Sequence, residues 1–309
     1  MSKKIASLFL CLIFALLLLF PEAVQAGAKE GLYLWYNTII PILFPFILIS
    51  NLMLLTDSVR YFTYPFLPLV KHFPRLNAYY PYALVFGWFC GYPMGAKTVV
   101  DLLVSGKITV KEGNFLLPAV NQASPIFLMG YVGVHIFKKQ YSFGQILFFV
   151  YFPVIIYFLG GLFLDSVQKK RTISNKGMIF NYKSTPQYNL DFEHVILSSF
   201  QIIVNIGVYM MIFTILMRLI LLAASGQKLL LITTGFLEIS TGIAWLNKLS
   251  TLSPILRDCL ILFCASFGGL CTCAQTHSII HDTGLSLSSY IVRKMMLGIS
   301  TLIMAWYLL

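Results

Sequence analysis

The sequence predicts an all-α polytopic membrane protein, with about eight transmembrane helices plus two re-entrant hairpins in an inverted repeat. Three observations lead there. Of 309 residues, 58% are hydrophobic and 11% charged, and the mean hydropathy is +0.82; a soluble domain carries about a quarter charged residues. Several apolar runs are interrupted by Gly and Pro, which a plain span would avoid. One interruption, at Gly91, has a counterpart 178 positions on, at Gly269.

The net charge of +11 reads first as basic cytoplasmic loops. The basic residues are scattered or loop-bound, with no basic patch interleaved with aromatics, which argues against a nucleic-acid partner. All six cysteines lie in apolar segments. That fits buried small hydrophobes better than a disulfide framework.

Lys3 and Lys4 precede an apolar run from Ile5 to Phe20. Val24-Gln25-Ala26 would suit a signal peptidase, but we read the run as a retained first span. Leu32 to Leu55 is the second. Pro41 and Pro45 should bend it, and Ser50 and Asn51 follow. Tyr61 to Pro74, flanked by Arg60, Lys71 and Arg75, reads as an amphipathic stretch along the cytoplasmic interface.

Tyr79 to Val104 contains Gly91-Tyr92-Pro93-Met94-Gly95-Ala96-Lys97-Thr98. Two glycines and a proline break the helix, and Lys97 and Asp101 follow one turn apart on one face. Broken backbone beside charges is tolerated in a bilayer where it is buried in protein or lines a watery cavity. This stretch reads as a hairpin tip forming half of a binding site. Lys97, near a helix N-terminus, suits an anionic or carboxylated solute; the alternative is a structural Lys97–Asp101 pair.

Asn121-Gln122-Ala123-Ser124-Pro125 makes a second break, with Asn121 and Ser124 either touching ligand or bonding neighbouring helices. Phe143 to Leu164 is an uninterrupted span. The polar stretch 166–191 reads as a cytoplasmic linker. It divides a single membrane domain, 1–309, into halves 31–165 and 192–309. The second half offers spans at His194–Leu222, Leu229–Leu246, Ile255–Ile280 and Ser289–Leu309. Glu238, beside Thr241 and Gly242, is a candidate with Asp101 for coupling to protons or sodium; the alternative for Glu238 is an interfacial residue on a peripheral helix. Gln275, Thr276 and His277 read as polar groups lining the second hairpin. Cys271, Cys273, His277 and His281 match no closed metal site; neither metal nor cofactor is expected. No nucleotide loop, HExxH or GxSxG occurs, so no enzyme is expected.

The two halves align with Phe89 on Phe267, Gly91 on Gly269, Ala96 on Ala274, Thr98 on Thr276 and Gly106 on Gly284. Elements of opposite direction would make an inverted repeat, a common transporter plan.

Ile40-Pro41-Ile42-Leu43-Phe44-Pro45-Phe46, the Gly91 to Lys97 element, Gly106-x-Ile108-Thr109 with Glu112, and Asn121-x-x-Ser124-Pro125 are together similar to YlbJ-type sporulation integral membrane proteins. Leu237-Glu238-x-x-Thr241-Gly242 and Phe267-Gly268-Gly269-Leu270 continue the likeness. The resemblance covers about Gly31 to Tyr290. Gly113-Asn114, Cys271 and Cys273 depart from the family pattern. The resemblance implies a nucleoside-recognition or Gate-type fold with paired hairpins, a cell or forespore membrane, and a role in endospore formation. Moving dipicolinic acid is the associated activity. A nucleoside-type transporter and a non-transporting scaffold of the spore envelope are the alternatives. In the transporter reading, solute sits between Gly91–Lys97 and Gly269–His277, with Asn51, Asn121 and Ser124 lining the cavity.

Overall fold

The computed structural model describes residues 3–56, 58–59, 61, 64–66, 77–168, 192–223 and 233–309. These residues form helices α1 (Lys3–Leu19), α2 (Pro21–Leu34), α3 (Ile40–Leu55), α4 (Tyr80–Cys90), α5 (Met94–Val104) and α6 (Val110–Val120). After them come α7 (Phe143–Gln168), α8 (Phe192–Ala223), α9 (Ile239–Lys248), α10 (Pro254–Phe267), α11 (Gly269–Ile280) and α12 (Leu287–Leu308). Trp35–Ile39 and Phe127–Ile136 are π-helical. No strand occurs among the described residues. Most of the expected interfacial stretch, and the linker from 169 onward, lie outside them.

Among the described residues, four stretches are long and apolar enough to cross a membrane: Phe143–Phe163, Phe192–Ala223, Pro254–Ile280 and Leu287–Leu308. A fifth is the pair Pro21–Ile39 and Leu43–Met53, bent by 56°. The bend falls at Pro41, where the missing amide and the ring both oppose a straight helix. The expectation of about eight spans is thus met by four to five among the described residues. At 1.5 Å per residue, the 11-residue helices α4, α5 and α6 reach about 16 Å, roughly half a bilayer core. The expected span at Leu229–Leu246 is corrected. Its described part is the ten-residue α9, preceded by a turn, and 229–232 lie outside the description.

The first hairpin forms. α4 and α5 pack against each other and on α6, with the chain reversing at Gly91-Tyr92-Pro93. The second does not fold back. α10 and α11 run on as one 27-residue apolar stretch, interrupted at Gly268-Gly269. Around this centre α8 packs along α2 and α3, and α12 along α10 and α7. Gly27 and Gly31 let α2 press on α8. A Cβ on Gly27 would sit 2.7 Å from the Ile215 Cα, and one on Gly31 2.9 Å from that of Met211.

The turn from α5 to α6 explains one sequence motif. Gly106, at φ +68°, takes the left-handed position after α5, and the Lys107 amide donates back to the Leu102 carbonyl at 2.9 Å. Thr109 then caps α6 reciprocally: its Oγ1 accepts from the Glu112 amide, and its own amide donates to Glu112 Oε2 at 2.8 Å. Asn77 Nδ2 donates to the other carboxylate oxygen at 3.0 Å. Thr109→Ala is expected to lower stability by about 1 kcal/mol, read as the thermal midpoint of the purified protein in detergent.

Candidate functional site: a polar centre where three helices break

Three breaks meet inside the apolar shell: Gly91–Pro93 after α4, Asn121–Pro125 after α6, and Gly268 after α10. Each break frees carbonyl groups that would be costly in hydrocarbon. Side chains from other helices meet them. Trp88 Nε1 donates to the Ala119 carbonyl at 2.8 Å, and the Tyr151 hydroxyl to that of Ala123 at 2.7 Å. The Tyr92 hydroxyl donates to the Ser266 carbonyl at 2.8 Å.

The centre of this arrangement is Lys294 on α12, fully buried. Its Nζ lies 2.5 Å from the Ser266 carbonyl, 2.7 Å from Gln122 Oε1, 2.7 Å from the Tyr92 hydroxyl and 3.2 Å from the Asn121 carbonyl, four acceptors that at most three N–H groups share. It also sits 4.9 Å from the centre of the Tyr92 ring. Asn121 and Ser266 lie at the carboxyl ends of α6 and α10, so the Lys294 nitrogen stands where the negative ends of two helix dipoles converge.

Asn121 is the second hub. Its Nδ2 donates to Thr276 Oγ1 at 3.0 Å and the Tyr290 hydroxyl at 2.8 Å, and its Oδ1 accepts from the Ala96 amide at 3.3 Å. Gly87, Gly91 and Gly95 make room. A Cβ on Gly95 would stand 2.5 Å from the Val120 oxygen, and one on Gly91 3.0 Å from the Ser124 amide nitrogen.

A carboxyl group answers the amide ends. Glu238, 2% exposed, caps α9, with Oε2 accepting from the Thr241 amide at 2.8 Å and the Thr241 hydroxyl at 2.9 Å. The adjoining carbonyls of Phe236 and Leu237 accept from the Leu270 and Cys271 amides at the start of α11. Glu238 therefore stands where two helix N-termini converge.

Two cavities flank the centre. The outer one, of about 230 Å³, is lined by Pro93, Lys97, Asp101, Asn205, Tyr209 and Gln275 among others. The inner one, of about 70 Å³, is lined by Gly91, Tyr92, Ser124, Glu238, Thr272 and Gln275 among others. A larger cleft of about 650 Å³ lies between the α1–α2 junction and the end of α8, away from the breaks.

Gly91, Tyr92, Pro93, Lys97, Asp101, Ser124, Glu238 and Gln275 thus come together around the cavities, and Asn121 and Thr276 beside them. Lys97 is not free: its ammonium lies 2.5 Å from Asp101 Oδ2, with both side chains partly exposed. Three expected site residues lie elsewhere. Asn51 donates to Ser199 Oγ at 2.8 Å and lines neither cavity, because its face of α3 is turned to α8. Thr98 is buried, with its hydroxyl turned back on the Met94 carbonyl at 2.9 Å. His277 is exposed on the outer face of α11, beside His281. Sequence reasoning missed Lys294, although a lysine inside an apolar span was signal enough. It also passed over Asn205 and Tyr209.

Half-helices meeting around a buried polar centre, inside a shell of apolar helices, define an integral membrane protein. The chain is similar to the sporulation integral membrane protein YlbJ of Bacillus subtilis (strain 168), with 22% identity over 96% of this chain and 79% of that protein. The resemblance read from the motifs therefore extends over nearly the whole chain. No family model matches the chain, and no solved structure matches it.

Proposed function

We propose that the chain is a membrane transporter of a small carboxylated solute, acting in sporulation as the name of its Bacillus relative indicates. The observation that carries this reading is the outer cavity, which places the Lys97–Asp101 pair beside broken backbone. Among the described residues the pair is linked only to itself, and both side chains are partly exposed, so it can open. The solute carboxylate would take the place of Asp101 on Lys97, in a charge-assisted bond of the same kind. The displaced Asp101 carboxylate then needs a proton or a sodium ion, which supplies the coupling. Glu238 is held as a cap by Thr241, so we assign coupling to Asp101.

Size supports a compact solute. At about 30 Å³ per water the outer cavity holds roughly seven waters. Its volume is below the usual 300 Å³ floor of small-molecule sites, which favours a ring carboxylate over a nucleoside.

We further read α4–α6 and α10–α12 as counterparts in an inverted repeat. Gly91 and Gly269 share positive φ, +78° and +81°, as do Gly106 and Gly284, +68° and +75°. Rocking of one half against the other would then expose the cavities in turn.

The test is uptake into proteoliposomes of labelled dicarboxylates, monocarboxylates and nucleosides. Wild-type protein is expected to take up a carboxylate and not a nucleoside. A charged hydrogen bond contributes about 1.5–3 kcal/mol, so Lys97→Ala is expected to lower uptake at limiting solute roughly ten- to hundredfold. Uptake of neither class by folded wild-type protein would leave the scaffold reading in its place.

A further inference from the structure

The two cavities share two lining residues, Ile206 of α8 and Gln275 of α11. Tyr92 faces the inner cavity and the next residue, Pro93, the outer one. The cavities are therefore neighbours separated by one layer of side chains. We propose that they are successive compartments of one solute pathway, and that Ile206 and Gln275 form the septum between them. This rests on the transport reading and adds a route to it.

The septum is built to yield. Ile206 is buried, and a single aliphatic side chain can rotate or shift without breaking a polar contact. Gln275 is 6% exposed, and its amide nitrogen donates to the Cys271 sulfur at 3.4 Å. A thiol is a weak acceptor, so a solute oxygen is a better partner for that amide than the one it has. Turning Gln275 towards solute opens the layer and gains a stronger bond in the same motion.

Charge does not bar the inner compartment. Glu238 is its one acidic lining residue among those described, and that carboxylate is turned to Thr241 at a helix N-terminus. Ser124 and Thr272 supply neutral polar atoms on the remaining wall. The pathway thus runs from a wall that selects charge to a wall that carries a polar solute onward.

Native thiols report on the septum. Cys90 and Cys271 line the inner cavity and are 1% and 2% exposed. The experiment uses the full chain in proteoliposomes with exposed Cys11 replaced by serine. A small uncharged maleimide is added and modification at Cys90 and Cys271 is followed by peptide mass spectrometry. Removing about 1.4 kcal/mol from an opening barrier speeds a reaction roughly tenfold. Ile206→Ala is expected to raise the modification rate by at least that factor, and Ile206→Trp to lower it. Carboxylate uptake is expected to fall in Ile206→Trp, while solute binding, measured by protection of Lys97 from acylation, persists.

Unchanged modification rates in both variants, with wild-type thermal midpoints, would overturn the septum. Uptake that continues normally in Ile206→Trp would overturn it as well, and leaves transport by another route. Rates that respond as expected in a protein that takes up no carboxylate would retain the septum and remove the transport reading.

Discussion

Replacing Lys294 by methionine is expected to destabilise the protein by about 3 kcal/mol, even though the two side chains are close in length. The methionine supplies no donor. The Asn121 carbonyl and Gln122 Oε1 would each lose the bond from Lys294, and the Ser266 carbonyl would keep only Tyr92. Leaving a buried acceptor unsatisfied costs about 1–3 kcal/mol. Replacing a buried charge by an apolar group is tolerated when its partners are replaced too; here all four stay, and two of them are backbone carbonyls. Lys294→Arg is expected to fail as well, because a planar fork does not fit acceptors gathered around one ammonium. The measurement is the thermal midpoint in detergent, with near-ultraviolet circular dichroism to follow aromatic packing around Tyr92 and Tyr290. A methionine variant as stable as wild type would show that the breaks are held by something other than this network.

Gly95→Val is expected to separate the hairpin from the break after α6 and to prevent a stable fold. Its Cβ would meet the Val120 oxygen at 2.5 Å and the Asn121 Cα at 2.6 Å, both backbone atoms that cannot rotate aside. Moving them apart would also stretch the Asn121 Oδ1 contact with the Ala96 amide, already 3.3 Å. Overpacking of a tight interior costs about 1–3 kcal/mol where side chains can adjust, and more is expected where only backbone can yield. Gly130→Ala is the control, since nothing lies within 4 Å of a Cβ there. Expression and size-exclusion profiles of the two variants should diverge sharply; similar profiles would mean that the close approach is dispensable.

The positions of the breaks were legible because Gly and Pro act locally. Helices are interrupted at Gly91, Pro93, Pro125 and Gly268, and the bend at Pro41 follows from the same chemistry, although Pro45, Pro118 and Pro153 lie inside helices. What closes each break was not legible. Lys294 lies 173 residues from Asn121 and 28 from Ser266, and nothing nearby in the chain marks it as their partner. The span count was less legible for a related reason. Hydropathy measures how apolar a stretch is, and the 11-residue α4, α5 and α6 are apolar without being long. The second hairpin was inferred from glycine spacing shared with the first. Positive φ at Gly91 and Gly269 is common to both places, yet one chain reverses and the other continues. The difference lies in Tyr92-Pro93, which has no counterpart after Gly269. Glu238 was legible as a buried carboxylate, but its spacing to Thr241 also fits a cap, which is how the structure uses it.

The distance in sequence between Asn121 and Lys294 bears on how the protein is made. At about 5–20 residues per second, a ribosome needs roughly ten to thirty-five seconds to add the 173 residues that separate them. Through that interval Trp88 and Tyr151, in the same half, can already meet the Ala119 and Ala123 carbonyls, while the Asn121 carbonyl still lacks Lys294. Seating α12 on the first half is therefore a late step in making this chain, because only then does the Asn121 carbonyl gain its lysine.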